Sequence, residues 1–214
     1  MKRILLIGLT GRSGSGKTAA AGYLCGKGLP VIVSDDVVRE VEKKGEPCLA
    51  ALAGAFGAGV LNEDGELNRH RLGEICFSDR EKLQMLNSIV HPYVIERILE
   101  ETETLAEQGE RCCIVEAPQL VESGLIDRVD RVVLIRSSRN LERLLLRDGV
   151  SEEQLRARLN AQYTDEYLAE IADIVIDNDS TLEDLYSALD KLILIINEWV
   201  EGIEKNGGNE DEDR

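Results

Sequence analysis

Histidine, aromatic side chains and positive charge are all scarce in this chain of 214 residues, and each shortage narrows what the chain can be. Lysine and arginine number 25 against 41 aspartates and glutamates, a formal charge of −16, which excludes the broad basic surface that nucleic acids require. Any polyanionic ligand must therefore meet a local positive pocket. Only two histidines are available to join Cys25, Cys48, Cys76, Cys112 and Cys113, and these cysteines show no paired ligand spacing. They are expected to be small apolar residues in a reducing cytoplasm, with a zinc site as the less favoured reading. Long hydrophobic runs are missing too. The apolar segment Leu192 to Ile196 is far below bilayer length, so no membrane span is expected. The run after Lys2 and Arg3 is short and leads straight into a glycine-rich turn, which argues against a signal peptide. The expected location is cytoplasmic.

What is present is organised around Lys2 to Leu24. Ile4, Leu5, Leu6, Ile7 and Leu9 form a continuous apolar run, the pattern of a buried parallel strand, and a turn follows at Gly11. Thr18 to Leu24 reads as the first turns of a helix. In that setting GRSGSGKT fits the phosphate-loop spacing, with Gly11, Gly16, Lys17 and Thr18 at the fixed places. The chemistry asks for these residue types. The backbone from Gly11 through Arg12, Ser13, Gly14 and Ser15 to Gly16 must wrap a polyphosphate closely, which favours positions without a Cβ. The helix behind it points its positive end at the anion. Lys17 reaches the β- and γ-phosphates as a mobile charge and the Thr18 hydroxyl ligates Mg²⁺, so a triphosphate and Mg²⁺ are the expected ligands. A bare Gly/Ser turn would not require lysine followed by threonine at a helix start.

Val31-Ile32-Val33 reads as a second strand, with Ser34, Asp35 and Asp36 just beyond it, at the sheet edge where α/β folds bind ligands. Either Asp35 or Asp36 faces the γ-phosphate, or Ser34 or Asp35 caps the helix that follows while the other acid favours its dipole. From Gly45 to about Gly109 the pattern is helical: Cys48 to Phe56, a turn at Asn62-Glu63-Asp64-Gly65, and a helix opened by Leu67-Asn68-Arg69. Two more stretches, Lys82 to Val90 and Val94 to Leu105, are separated by His91-Pro92. Arg111 to Val115, Arg131 to Ile135 and Ile174 to Ile176 complete a predicted set of five strands, whose alternation with helices implies a parallel sheet with right-handed crossovers. Between Arg139 and Arg158 the chain reads as helical, with Arg139, Arg143 and Arg147 on one face. These arginines either offer guanidinium forks to phosphate oxygens or pair with Glu142, Asp148, Glu152 and Glu153. A closing helix is expected from about Leu182 to Val200, and 201–214 is an acidic tail expected to be disordered.

Seven segments in order, GLTGRSGSGKT, LPVIVSDDVVREV, GELNRHRLGEICF, SIVHP, VEAPQLVESGL, RLLLRDGVSEEQLRARLNAQ and ADIVIDN, resemble the dephospho-CoA kinase family from about Lys2 to Asn178. The resemblance implies an α/β P-loop NTPase fold: a parallel five-stranded sheet flanked by helices, a helical acceptor-binding insertion and a helical lid. The corresponding ranges are 1–33, 110–138 and 172–200 for the nucleotide-binding core, 34–109 for the insertion and 139–171 for the arginine-rich lid. It implies transfer of the ATP γ-phosphoryl group to the 3′-hydroxyl of the dephospho-CoA ribose, the last step of coenzyme A biosynthesis. Asp35 matches the family's general base, which chooses it over Asp36. Lys17, Arg143 and Arg147 match groups that neutralise the transferring phosphoryl. Arg69 and His91 match acceptor-binding positions, and Asn178 a contact to the adenine edge. Dephospho-CoA is the implied small-molecule partner, with no nucleic acid or membrane, and a monomer or small homo-oligomer is expected. The sequence departs from the family at Val33-Ser34-Asp35, which stands for the usual Asp-Ala-Asp and keeps only the second acid, at Glu116, Gln119 and Val121, and at Leu168, where a lysine capable of a phosphate contact is common. A nucleoside monophosphate kinase and a nucleotide-dependent binding protein are the alternative readings.

Overall fold

The computed structural model describes residues 3–77, 79–149 and 151–207. The apolar run near the start forms β1 (Leu5–Thr10), buried along its whole length. A strand with no exposed face must be covered on both sides, and β1 lies third in a five-stranded sheet ordered β2-β3-β1-β4-β5. The other strands are β2 (Val31–Val33), β3 (Cys112–Glu116), β4 (Arg131–Arg136) and β5 (Ile174–Asp177). β1 pairs in parallel with β3, Leu5 opposite Cys112, and with β4, Ile7 opposite Arg131; β4 pairs in parallel with β5, Val133 opposite Ile174. Parallel neighbours bring the strand ends that carry Thr10, Glu116, Arg136 and Asp177 to one edge.

The chain divides into two compact units, Met1–Ile32 with Thr102–Arg214, and Val33–Glu101. In the first, α1 (Lys17–Gly26) and α9 (Leu182–Gly207) cover one face of the sheet. Ala20, Ala21 and Leu24 of α1 and Leu185, Leu189, Leu192, Ile196 and Val200 of α9 meet Leu5, Ile7, Leu9, Ile114, Val133 and Ile135. Tyr23 stacks on Tyr186 with ring centroids 4.1 Å apart, joining the two helices at the rim of this core. α9 continues seven residues past the Val200 at which its pattern suggested an end, so the start of the expected disordered tail is helical. Residues 208–214 lie outside the described residues.

The arginine-rich segment is two helices with a third behind them: α6 (Asn140–Asp148), α7 (Glu152–Asn160) and α8 (Asp165–Ile171). The single helix read from 139 to 158 is interrupted at Gly149, which takes φ 64° as the C-cap of α6. Leu144 of α6 and Leu155 and Leu159 of α7 close a small apolar cluster between these two helices.

The second unit holds α2 (Ser34–Val41), α3 (Pro47–Phe56), α4 (Arg69–Phe77) and most of α5 (Arg80–Glu107). The turn at Asn62-Glu63-Asp64-Gly65 forms, with the Gly65 N–H donating to the Asn62 carbonyl at 3.0 Å. His91-Pro92 does not separate two helices: Pro92 lies inside the 28 residues of α5. An interior proline removes one N–H and crowds the preceding turn, at a cost of about 3 kcal/mol. Burial of Val90, Val94 and Ile98, each four residues apart on one helical stripe, offsets that cost.

Candidate active site

The phosphate loop occupies the turn from β1 into α1, and its glycines are needed for their backbone. Gly11 has φ 147°, and a Cβ there would lie 2.1 Å from the Ile135 carbonyl oxygen. Gly16 caps α1 in the left-handed region at φ 100°, where a Cβ would lie 2.3 Å from Asn178 Nδ2. The loop is tied to the rest of its unit by side chains aimed at its peptide groups. Lys17, 6% exposed, donates from Nζ to the Arg12 carbonyl at 3.1 Å, and the Ser15 N–H donates to that same carbonyl at 3.1 Å. Asn178, buried just beyond β5, donates from Nδ2 to the Ser15 carbonyl at 2.8 Å. Arg143 of α6 donates to the Asn178 carbonyl at 2.7 Å and to the Ser15 carbonyl at 3.4 Å.

The Asn178 amide N–H group braces the loop backbone, an anchoring contact made 163 residues away in sequence. The arginine face also resolves into two behaviours. Arg139 pairs with Glu142 through two 2.9 Å contacts, and on α7 Arg156 pairs with Glu152 at 2.7 Å, as a solvated helix face would. The Glu142 carboxylate is accordingly held below its ordinary range, by the Arg139 hydrogen bonds first. Arg143 instead turns to the loop. The side chain of Arg147 lies outside the described residues.

Thr18 is exposed in the first turn of α1. Its hydroxyl is a hard oxygen donor and suits Mg²⁺, which commonly takes only one or two protein ligands beside water and substrate phosphates. Among the described residues no group of three or more His, Cys, Asp and Glu side chains gathers as a metal cage. Glu116, at the end of β3, is 4% exposed. Leu168, where the resemblance suggests a lost phosphate contact, is buried on α8 and serves packing.

In the second unit, α2 begins without a side-chain cap, so neither Ser34 nor Asp35 has the capping role offered as an alternative. Asp35 and Asp36 both sit in the first turn, where carboxylates favour the helix dipole. They are not equivalent. Asp36 accepts from Arg39 at 2.6 Å, whereas Asp35 is exposed and has no ion-pair or hydrogen-bond partner among the described residues. Arg69 opens α4, with Nε 2.9 Å from Glu42 Oε2 and Nη2 3.5 Å from the Arg39 carbonyl. Burial pushes the Glu42 carboxyl above its ordinary 4.5, and the Arg69 charge and hydrogen bond pull it back. Arg97 of α5 gathers Glu46 at 3.2 Å, Glu100 at 3.4 Å and Glu40 at 3.7 Å. His91 is half-buried within α5, away from any helix start.

A model of the dephospho-CoA kinase family matches residues 5–184. This chain belongs to that family. The dephospho-CoA kinase of Thermobifida fusca is 44% identical over 186 residues, 85% of this chain and 91% of that protein. Among solved structures, one from Thermus thermophilus aligns with a TM-score of 0.76 at 32% identity, over 90% of this chain and 98% of that one. The dephospho-CoA kinase from Campylobacter jejuni aligns at 0.69 and 26% identity, over 90% and 97%. The family match spans the phosphate loop, Asp35, Arg69, the arginine-rich helices and Asn178, and stops short of most of α9.

Sequence reasoning reached the loop because its spacing is local. It missed Glu42 as the partner of Arg69, and it missed Gln162, whose Oε1 accepts from the Ser13 N–H at 3.0 Å. Both contacts join positions far apart in the chain. A carboxylate one turn after Val38, and so on the face of Val38, was the available signal for Glu42; nothing local marked Gln162.

Proposed function

We propose that the chain transfers the γ-phosphoryl group of ATP to the 3′-hydroxyl of dephospho-CoA, with Asp35 as the base. The observation that carries the assignment of the base is the contrast at the start of α2: Asp36 is engaged by Arg39, and Asp35 is exposed with no partner among the described residues. A carboxylate without a cation can accept a hydrogen bond from a ribose hydroxyl and then its proton. The 3′-oxygen forms a bond to the γ-phosphorus, the bond from that phosphorus to the β,γ-bridging oxygen breaks, and ADP leaves with the electron pair. Little covalent work falls to the protein in such a loose transition state; positioning and charge neutralisation dominate.

Lys17 follows the β- and γ-phosphates, exchanging the Arg12 carbonyl for a phosphate oxygen. Arg143 presents cationic N–H groups from α6, and Arg147, one turn later in sequence, adds a second guanidinium. Backbone N–H groups of the loop other than those of Ser13 and Ser15, which donate to Gln162 and to the Arg12 carbonyl, hold the polyphosphate, with the start of α1 behind them. When bound, Mg²⁺ neutralises β- and γ-oxygens, and the Thr18 hydroxyl is the group suited to hold it. Arg69 binds an anionic part of the acceptor, its orientation set by Glu42, and His91 supports that acceptor-binding segment. The acceptor is taken from the family, and among the described residues no helix is long and apolar enough to cross a membrane.

The test is the mass of the product formed from ATP, Mg²⁺ and dephospho-CoA. Wild-type protein is expected to add one phosphate, and Asp35→Asn to lower turnover by roughly 10²–10⁴-fold with ATP affinity little changed. An undiminished rate in Asp35→Asn would remove it from the mechanism.

A further inference from the structure

The Arg12–Ser13 peptide group is held at both ends. Its carbonyl oxygen accepts from Lys17 Nζ and from the Ser15 N–H, each at 3.1 Å. Its N–H, on Ser13, donates to Gln162 Oε1 at 3.0 Å. A peptide group is planar, so fixing the N–H direction fixes the direction of the carbonyl opposite it. Gln162 lies in the short connection between α7 and α8, 149 residues from Ser13.

That connection is itself anchored to the loop. The Leu159 carbonyl, at the end of α7, accepts from Arg12 Nη2 at 2.6 Å and from the Gln162 N–H at 3.2 Å. A cation at the negative end of a helix is favoured by the dipole as well as by the hydrogen bond. Arg12 Nη1 also stands 3.8 Å from Asp165 Oδ2 at the start of α8. Arg12 and Gln162 thus form a reciprocal pair. The arginine of the loop grips the end of α7, and the glutamine just beyond α7 grips the next peptide of the loop.

We infer that Gln162 is a positioning residue for phosphoryl-donor binding: by holding the Ser13 N–H it orients the Arg12 carbonyl and thereby sets where Lys17 Nζ rests. The inference rests on the reading of ATP as the donor. Without the Gln162 acceptor the Ser13 N–H loses its partner, the peptide is held only through its carbonyl end, and the place that the Arg12 carbonyl defines for the ammonium group is less fixed before the nucleotide binds. The cost falls on polyphosphate affinity and passes through Lys17.

The test is a double-mutant cycle on the full chain, with Mg²⁺-ATP affinity read by calorimetric titration for wild type, Gln162→Met, Lys17→Met and the double variant. Methionine keeps the length of glutamine and removes its acceptor. Gln162→Met is expected to weaken Mg²⁺-ATP binding by about tenfold, the worth of one hydrogen bond at a charged site. In the Lys17→Met background the same change is expected to cost less than about twofold, since its effect runs through the missing lysine. Thermal melting accompanies each variant; if Gln162→Met does not fold, Gln162→Asn replaces it, its amide one methylene too short to make the contact, with the same expected pattern. Equal losses in both backgrounds, or unchanged or tighter binding in Gln162→Met, would overturn the inference. Failure of the wild type to bind Mg²⁺-ATP would instead remove the donor assignment on which it rests.

Discussion

The cations beside the phosphate loop and the arginines of the helical unit are held in different ways. Beside the loop they are tied to backbone carbonyls: Lys17 to Arg12, Arg12 to Leu159 with Asp165 3.8 Å away, and Arg143 to Ser15 and Asn178. In the helical unit they are tied to carboxylates: Arg39 to Asp36, Arg69 to Glu42, and Arg97 to Glu40, Glu46 and Glu100. A carbonyl is a dipole and a carboxylate is an anion. A hydrogen bond to a carbonyl fixes a cation's direction without itself cancelling its charge, while a carboxylate opposes that charge directly. In a chain of formal charge −16, cations held by carbonyls are what the proposed polyphosphate site needs. Arg69 combines the two, with Nε on Glu42 and Nη2 on the Arg39 carbonyl.

Removing a carbonyl-pinned cation gives the largest expected effect. Lys17→Met is expected to lower kcat by about 10³-fold, because the ammonium group meets charge that develops during transfer; single-turnover kinetics at saturating Mg²⁺-ATP measure it. A loss of less than about tenfold would mean that the pinned lysine is a structural group.

The carbonyls can be disturbed in place of the cations. Gly11→Ala forces a Cβ against the Ile135 backbone, whereas Gly16→Ala meets the end of the Asn178 side chain, which can shift. Each pays a left-handed backbone strain of about 1–3 kcal/mol, so both lower the melting temperature by several degrees, with Gly11→Ala the lower of the two. Gly16→Ala should in addition weaken ATP binding, because it displaces the amide that holds the Ser15 carbonyl. Calorimetric melting and nucleotide titration separate the two outcomes.

The carboxylate side of the comparison has a smaller, pH-dependent signature. Glu42 carries a folded-state pKa raised above its ordinary 4.5, so the native state binds that proton more tightly than the unfolded chain does. Its contribution to stability is full below 4.5 and declines as pH rises through the folded value. Glu42→Gln lacks this decline. The difference in melting temperature, Glu42→Gln minus wild type, is expected to become more positive as pH rises from below 4.5 toward neutrality, whatever its value at neutral pH. A difference that falls over this range would show that the Arg69 charge outweighs burial at Glu42.

The sequence made the phosphate-loop unit legible because its signals are local. A continuous apolar strand, a glycine turn and a lysine at a helix start each follow from a few adjacent residues, and the five-strand parallel sheet follows from their repetition. The boundaries of helices were less legible where one residue type pulled against its surroundings. Pro92 suggests a break that the buried stripe of Val90, Val94 and Ile98 overrides, and the arginine period through Arg139, Arg143 and Arg147 hides the stop at Gly149. Within the site, residue types were readable and partners were not. Nothing near Asn178 signals that its amide turns under the loop, nothing near Gln162 marks Ser13, and the two adjacent aspartates, alike in position, are separated by the family resemblance and by the ion pair at Asp36.

The most direct test of this division of labour is a pair of steady-state analyses, Arg143→Met and Arg69→Met, each with ATP and dephospho-CoA varied in turn. Arg143→Met is expected to raise the KM for ATP and lower kcat, about tenfold or more in kcat/KM, with the KM for dephospho-CoA little changed. Arg69→Met is expected to show the reverse pattern, a raised KM for dephospho-CoA and an unaltered KM for ATP. The same KM shifts for both substrates in both variants would contradict the account, because the two arginines would then be supporting structure in place of binding separate anions.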